Sequence, residues 1–135
     1  MTRMAGRIKG RVLVAGLLAG FAACGGGDDS TPTGPGSTPG PSGATITIAD
    51  GRVTPASVTI NVGQSVTFIN NNGRGHNVTS DPHPNHTDCP AINAVGNMTN
   101  GQTRLTNALT TARTCGFHNH DDPDNANFRG SIVIR

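Results

Sequence analysis

Stretches in which every second residue is apolar recur through the C-terminal two thirds of the chain. Residues 44–49 and 58–62 place their isoleucines and valines at alternate positions, so these side chains share one face of an extended strand. Further short segments with the composition of strands are separated by Gly, Asn and Pro, and they lie at residues 65–70, 76–79, 102–111, 112–115 and 131–134. The pattern predicts an all-β sandwich of about seven strands over residues 44–135, with no helix required.

The first 23 residues have a different pattern, with a basic segment followed by an apolar run at residues 12–19. This pattern predicts a secretory signal, and the apolar run is too short to span a bilayer. Small residues directly before Cys24 resemble the bacterial lipoprotein signal, which implies that Cys24 is lipidated and becomes the mature N-terminus. The alternative is ordinary cleavage nearby, which leaves Cys24 as a spare thiol. Either way we expect export, and lipidation implies attachment to a membrane of the bacterial cell envelope, on its periplasmic or outer surface.

Residues 24–43 contain Gly, Pro, Ser, Thr and Asp but no large apolar side chain. Because such a segment cannot bury a core, we expect a tether between the lipidated cysteine and the folded domain.

Charge and length exclude several classes of function. From residue 24 onward six arginines stand against eight aspartates, which gives a net charge of −2. A nucleic-acid binder needs a basic face for phosphate contacts, so nucleic acid is not an expected partner. At 135 residues the chain is also too short for a second domain that closes over a substrate.

The residues that carry chemistry are concentrated between positions 76 and 120. This segment holds every histidine of the chain and both cysteines other than Cys24, namely His76, His83, Cys89, His86, Cys115, His118 and His120. A thiolate and an imidazole three positions apart, as in Cys115 and His118, can reach one ion. Copper is the metal that this donor mixture favours outside the cytosol.

Several spaced segments together resemble the cupredoxins of the plastocyanin and azurin group. They are residues 58–70, Gly75-His76-Asn77-Val78, Cys115-Gly116-Phe117-His118 and residues 128–134. The resemblance covers residues 44–135 and implies a Greek-key β-sandwich. In that family a strand-end histidine and a later Cys-x-x-His supply three equatorial ligands of one copper ion. Carried over by position, these ligands are His76, Cys115 and His118.

The family's axial methionine precedes the glycine of the last strand, where this chain has Phe128. Because phenylalanine cannot coordinate a metal, the resemblance implies a three-coordinate copper or another donor such as His120. His83, His86 and Cys89 belong to an inserted loop and are secondary candidates as ligands.

Cys89 leaves two interpretations of Cys115 open. With Cys24 lipidated, two thiols remain in an oxidising compartment, which favours a disulfide between Cys89 and Cys115. A disulfide would remove the copper thiolate and leave an imidazole-only site, which suits Cu(II) or Zn(II) and metal carriage. A free Cys115 thiolate would instead suit one-electron transfer.

The sequence therefore predicts an exported, membrane-anchored copper protein that carries electrons or copper and meets a redox or copper-delivery partner. The strongest alternative is a metal-free, disulfide-bonded sandwich that serves as a structural or interaction module. The segment from Gly116 to His120 is also similar to a motif of copper-zinc superoxide dismutases. Those enzymes place further histidine ligands downstream, however, and this chain has no histidine after His120. We therefore expect no enzyme.

Overall fold

A computed structural model describes residues 39–135 and contains nine strands in this part of the chain. The strands are β1 (Ser42–Ala49), β2 (Arg52–Thr54), β3 (Ser57–Ile60), β4 (Ser65–Asn70), β5 (His76–Ser80), β6 (Gly96–Met98), β7 (Thr103–Leu105), β8 (Arg113–Asn119) and β9 (Gly130–Ile134). Two short 3₁₀ helices, Pro90–Ala94 and Ala126–Phe128, lie before β6 and β9.

The strands form two mixed sheets. One sheet has the order β2-β1-β4-β7 and the other the order β3-β9-β8-β5-β6. The pairs β1–β4 and β3–β9 are parallel, and the remaining pairs are antiparallel. Strand β5 therefore lies directly beside β8 in the five-stranded sheet, although about forty residues separate them in sequence.

The core lies between the sheets and follows the predicted alternation. Ile46 and Ile48 of β1 are fully buried, while the threonines between and beside them are not. Phe68 of the first sheet meets Phe117 of the second edge to face, with ring centroids 5.2 Å apart. Because Phe117 makes this contact, the face of β8 that carries Phe117 is the one that points into the core.

The predicted all-β sandwich is confirmed, with differences at particular elements. The strand predicted over residues 102–111 ends at Leu105. Beyond it the backbone N–H of Asn107 donates to the Ala91 carbonyl and that of Leu109 to the Gln64 carbonyl, and neither bond belongs to a pair of strands. Strands β2 and β6 are only three residues long and were not predicted. The two 3₁₀ helices were not predicted either. The first begins at Pro90, and proline fits this position because the first backbone N–H of a helix has no partner within the helix.

The predicted signal segment and Cys24 lie outside the described residues, as does most of the predicted tether. Within residues 39–135 no helix has the length and apolar character needed to cross a bilayer.

Candidate metal centre

Two segments distant in sequence carry four histidines to one place. Strand β8 contains His118 and is followed directly by His120, while the loop after β5 contains His83 and His86. Residue Thr79 of β5 pairs with His118 of β8, so the loop that leaves β5 begins beside His118. The sheet topology thus brings together the histidines of both segments.

Hydrogen bonds fold the loop after β5 back over the outer face of β8. The N–H of Asp81 donates to the Gly116 carbonyl at 3.1 Å, and the N–H of Asp88 donates to the Asp81 carbonyl at 2.9 Å. The His86 carbonyl accepts from the side-chain amide of Asn93 at 2.9 Å. The loop carrying the two histidines is therefore fixed at its entry, middle and exit.

The four imidazoles form one cluster, called the histidine cluster below: His83, His86, His118 and His120. One ring nitrogen from each residue lies within 4.8 Å of the others. The rings of His86 and His120 are 4.9 Å apart by centroid, and those of His83 and His120 are 5.1 Å apart. His118 is buried, His86 and His120 are half-buried and His83 is exposed. Borderline transition metals bind such a set of imidazoles.

Hydrogen bonds at the outer nitrogens set the tautomers of two of these rings. Nδ1 of His118 lies 2.6 Å from Oδ1 of Asp81, and Nδ1 of His86 lies 2.8 Å from the carbonyl oxygen of Ser80. Carboxylate and carbonyl oxygens only accept hydrogen bonds, so each Nδ1 carries the proton. In the neutral rings, Nε2 of His118 and of His86 therefore keeps the lone pair that a metal needs.

His120 and His86 are hydrogen-bonded to each other within the cluster. Nδ1 of His120 lies 2.9 Å from Nε2 of His86. Because Nε2 of His86 has the lone pair, Nδ1 of His120 is the donor in this structure. To coordinate an ion through Nδ1, His120 has to carry its proton on Nε2 instead.

Burial lowers the pKa of His118, and the hydrogen bond and charge of Asp81 only partly oppose this effect. The nearby His86 and His83 lower the pKa further, since neighbouring positive charges are unfavourable. His118 is therefore kept in the neutral form, which is the form that binds metals.

A cavity of about 330 Å³ adjoins the cluster, and its lining includes His83, His118, Asp81, Asp124 and Arg129. His118 contributes to this lining although it is only 1% exposed.

His76 lies elsewhere, on the opposite face of the same sheet. Side chains alternate along a strand, so His76 and Val78 face the core of the sandwich while Thr79 faces outward with its pair partner His118. The ring of His76 packs against Phe128, with centroids 4.6 Å apart. The structure therefore does not bring His76 and His118 to a common ion.

The hydrogen bonds of His76 also disfavour metal binding. The Asn72 side-chain oxygen accepts from the Gly51 N–H at 2.8 Å, so the amide nitrogen of Asn72 is the group that faces Nε2 of His76, at 2.8 Å. That nitrogen donates, and the single proton of the neutral ring is then on Nδ1. Nδ1 is buried and has no hydrogen-bond partner among the described residues. Burial, with the charge of Arg74, lowers the pKa of His76, against a smaller opposing effect of Asp121.

Cys89 and Cys115 form a disulfide, with Cα atoms 5.8 Å apart. Both sulfurs are thereby withdrawn from metal binding, and the interpretation of Cys115 as a copper thiolate does not hold in this structure. The residue of β8 that faces inward nearest to His76 is Asn119, whose side-chain oxygen accepts from the Asn77 N–H at 2.8 Å.

Asp81 and Ser80, which orient His118 and His86, were not predicted as residues of the site. No spacing rule links Asp81 to a histidine 37 positions later. The sequence does contain a signal for the direction of the His118 side chain. Cys115 and Phe117 are apolar at alternate positions, which predicts that they face the core, and His118, one position further, then faces outward.

Residues 44–131 match the family described as copper binding proteins, plastocyanin/azurin family. Among solved structures, an amicyanin from Paracoccus versutus (Thiobacillus versutus) is similar at 20% identity and a TM-score of 0.55, over 69% of this chain and 81% of the amicyanin. A purple cupredoxin from Nitrosopumilus maritimus is similar at 17% identity and a TM-score of 0.52, over 68% of this chain and 99% of the cupredoxin. Among curated proteins, no sequence matches this chain.

The copper that this family binds fits one of the two places in this chain. In the interior, His76 has its proton on Nδ1, and its neighbours Asn119 and Phe128 offer no thiolate. The thioether beside it is that of Met98, its buried cross-strand partner, which alone does not replace the missing cysteine ligand. The residues carried over by position thus do not fit the family's copper centre. The histidine cluster does fit copper, because Nε2 is the unprotonated nitrogen of both His118 and His86 and imidazoles are good ligands of Cu(II).

Proposed function

Because this chain belongs to the copper binding proteins of the plastocyanin/azurin family, we propose that it binds one Cu(II) ion through the histidine cluster and acts as a copper carrier. The observation that carries this proposal is the convergence of four ring nitrogens within 4.8 Å of one another. Two of the rings are already held in the metal-binding tautomer by the groups behind them, and binding replaces the hydrogen bond between His120 and His86.

The donor set favours carriage of copper over fast electron transfer. The family is one of copper-binding electron-transfer proteins, and their blue centres depend on a cysteine sulfur bound to the metal. Both cysteines of this domain are bonded to each other, so an ion in the histidine cluster has nitrogen ligands. When bound, the ion is held as Cu(II), which imidazoles suit well.

We extend the proposal to the cellular setting. The N-terminal pattern supports export and lipidation at Cys24, and the Gly/Pro-rich tether would let the domain stand away from the membrane of the cell envelope. Three aspartates follow the cluster, at positions 121, 122 and 124, and they give a basic copper-delivery partner an acidic surface to meet. The chain would thus bind copper outside the cytosol and pass it on, without catalysing a reaction.

Copper binding to the exported, oxidised full-length chain tests the proposal. We would measure metal content after copper loading and the Cu(II) dissociation constant by competition with a chelator. We expect one copper per chain, and we expect His118→Gln and His120→Gln each to weaken binding by at least 10-fold, since each removes one ligand.

His76→Phe is the matched control, because it removes a buried histidine outside the cluster and leaves an aromatic ring against Phe128. It should bind copper like the wild type. Copper lost in His76→Phe but retained in His118→Gln would instead locate the ion at the interior position. Absence of copper from a folded, oxidised wild-type chain would support the metal-free structural module.

A further inference from the structure

We propose that Asp81 is a positioning residue of the histidine cluster, holding His118 so that Nε2 faces the ion. The inference rests on the proposed function, because it concerns the same site. Its core observation is the 2.6 Å hydrogen bond between Oδ1 of Asp81 and Nδ1 of His118, a ring that is only 1% exposed. A buried imidazole held at Nδ1 presents Nε2 in a fixed direction, and in this structure Nε2 lies 3.3 Å from the Thr79 hydroxyl, whose hydrogen bond an ion would replace.

The backbone of Asp81 is anchored on both sides, which makes the position of its carboxylate well defined. Its N–H donates to the Gly116 carbonyl of β8 at 3.1 Å, and its own carbonyl accepts from Asp88 at 2.9 Å. Asp81 is thus tied by its main chain to the same strand that carries His118. The backbone bonds to Gly116 and Asp88 together restrict how far the Asp81 carboxylate can move from the His118 ring.

Gly116 provides the space that the carboxylate occupies. A Cβ added at Gly116 would overlap Oδ2 of Asp81 and would lie 3.0 Å from its Cγ, closer than such atoms normally approach. Since residues 116 and 118 face the same side of β8, a side chain at 116 would stand between the carboxylate and the strand. Because residue 116 has no side chain, the Asp81 carboxylate can lie against β8 and reach His118, the next outward-facing residue.

The carboxylate also acts through its charge. Among the described residues, His118 is the one member of the cluster whose outer nitrogen bonds to a carboxylate, whereas that of His86 bonds to a neutral carbonyl. A carboxylate behind an imidazole strengthens the ring as a metal ligand, and removing such a group typically costs 10–100-fold in metal affinity. The Arg129 guanidinium lies 3.9 Å from the second oxygen of Asp81 and is half exposed, so it does not displace this bond.

The first test needs no metal. In the ¹⁵N NMR spectrum of the full-length apo chain at neutral pH, His118 should carry its proton on Nδ1. In Asp81→Ala that preference should be lost, because free imidazole favours a proton on Nε2. Asp81→Asn should retain the Nδ1–H tautomer, because the amide oxygen still accepts the bond.

The second test is the Cu(II) affinity of the same chains. Asp81→Ala should bind about 10–100-fold more weakly than the wild type. Asp81→Asn should recover part of the loss, since it restores orientation without the charge. Gly116→Ala should weaken binding in the same direction, because it pushes the carboxylate away while both residues of the bond remain. Asp124→Ala, which removes an equal charge from the lining of the same cavity, is the control and should change affinity less than 3-fold.

The outcomes separate this inference from the proposed function. A wild-type chain that takes up no copper overturns both. Equal copper affinity in wild type and Asp81→Ala, or an unchanged His118 tautomer in Asp81→Ala, overturns the role of Asp81 alone. Equal losses of copper affinity in Asp81→Ala and Asp124→Ala would also overturn it, since the loss would then follow from the removal of any nearby negative charge.

Discussion

Cys89 and Cys115 join the two segments that bear the histidine cluster. Cys89 follows His86 by three positions and Cys115 precedes His118 by three, and the Cα atoms of the bonded cysteines lie 5.8 Å apart. The disulfide therefore fastens the end of the loop after β5 to the strand beneath it. It is buried, with Cys115 completely inaccessible and Cys89 only 6% exposed.

Removing this disulfide should destabilise the domain and weaken the site. In Cys89→Ala/Cys115→Ala we expect the free energy of unfolding to fall by about 3.5 kcal/mol, the amount that the chain-entropy argument gives for a loop of 26 residues. Urea denaturation measures this loss, and copper competition should show weaker binding by the folded variant. Cys24→Ser, which leaves the disulfide intact, is the control. An unchanged unfolding midpoint in the double variant would contradict the role given to the bond.

Acid should destabilise the domain through its buried histidines. Burial holds the pKa of His76 and His118 below the ordinary value of 6.5, so the unfolded chain binds more protons than the native one just below that pH. Stability is then fully present above about pH 6.5 and is lost as the pH falls through the lowered pKa values. Apo protein unfolded in urea at pH 7.5 and at pH 5 should show the lower midpoint at pH 5.

His76→Phe should reduce that dependence on pH, because it removes one of the two groups, together with an Nδ1 that has no hydrogen-bond partner within residues 39–135. A variant with the same fall in urea midpoint as the wild type would assign the acid sensitivity to other groups.

Gly130 at the start of β9 should tolerate no side chain. An added Cβ would overlap the carbonyl oxygen of Ala56 and lie 2.7 Å from a ring carbon of Phe117, both fixed parts of the sandwich. We expect Gly130→Ala to cost about 1–3 kcal/mol, as overpacking in a core does. Gly75→Ala is the matched control, because its nearest neighbour would be a carbonyl oxygen 3.8 Å away. Thermal unfolding of the two variants compares them, and equal melting temperatures would contradict the packing described.

Cys24 should determine attachment to the membrane. In a bacterial host that exports the chain, the wild type should fractionate with membranes and Cys24→Ser with the soluble envelope fraction, since lipidation is proposed at that sulfur. Mass spectrometry of the mature N-terminus checks the modification itself. A wild-type chain without lipid, cleaved elsewhere, would sink this part of the proposal.

The strands with clear alternation were predictable from the sequence, because each buries one face. Ile46 and Ile48 of β1, or Ile132 and Ile134 of β9, identify their inward positions directly. The three-residue strands β2 and β6 were not predictable from the sequence. So short a segment shows too little periodicity, and its conformation depends on the neighbouring strand.

The location of the site was harder to predict than the fold. Family resemblance assigned His76 and His118 to one ion by position, whereas the register of β5 and β8 sets them on opposite faces. The position of Phe117 in the core could have shown that His118 points outward. The convergence of His83 and His86 depends on the path of a loop whose folding rests on tertiary hydrogen bonds to Gly116 and Asn93, and local sequence does not contain that path.

X-ray absorption spectroscopy at the copper edge of the copper-loaded, oxidised chain tests the central claim most directly, because it identifies the donor atoms. We predict a first shell of nitrogen or oxygen with the multiple scattering of three or four imidazoles, and no sulfur. In His118→Gln the imidazole count should fall, and in His76→Phe it should not. A copper–sulfur distance in the wild type, or an imidazole count that falls only in His76→Phe, would contradict a copper site at the histidine cluster.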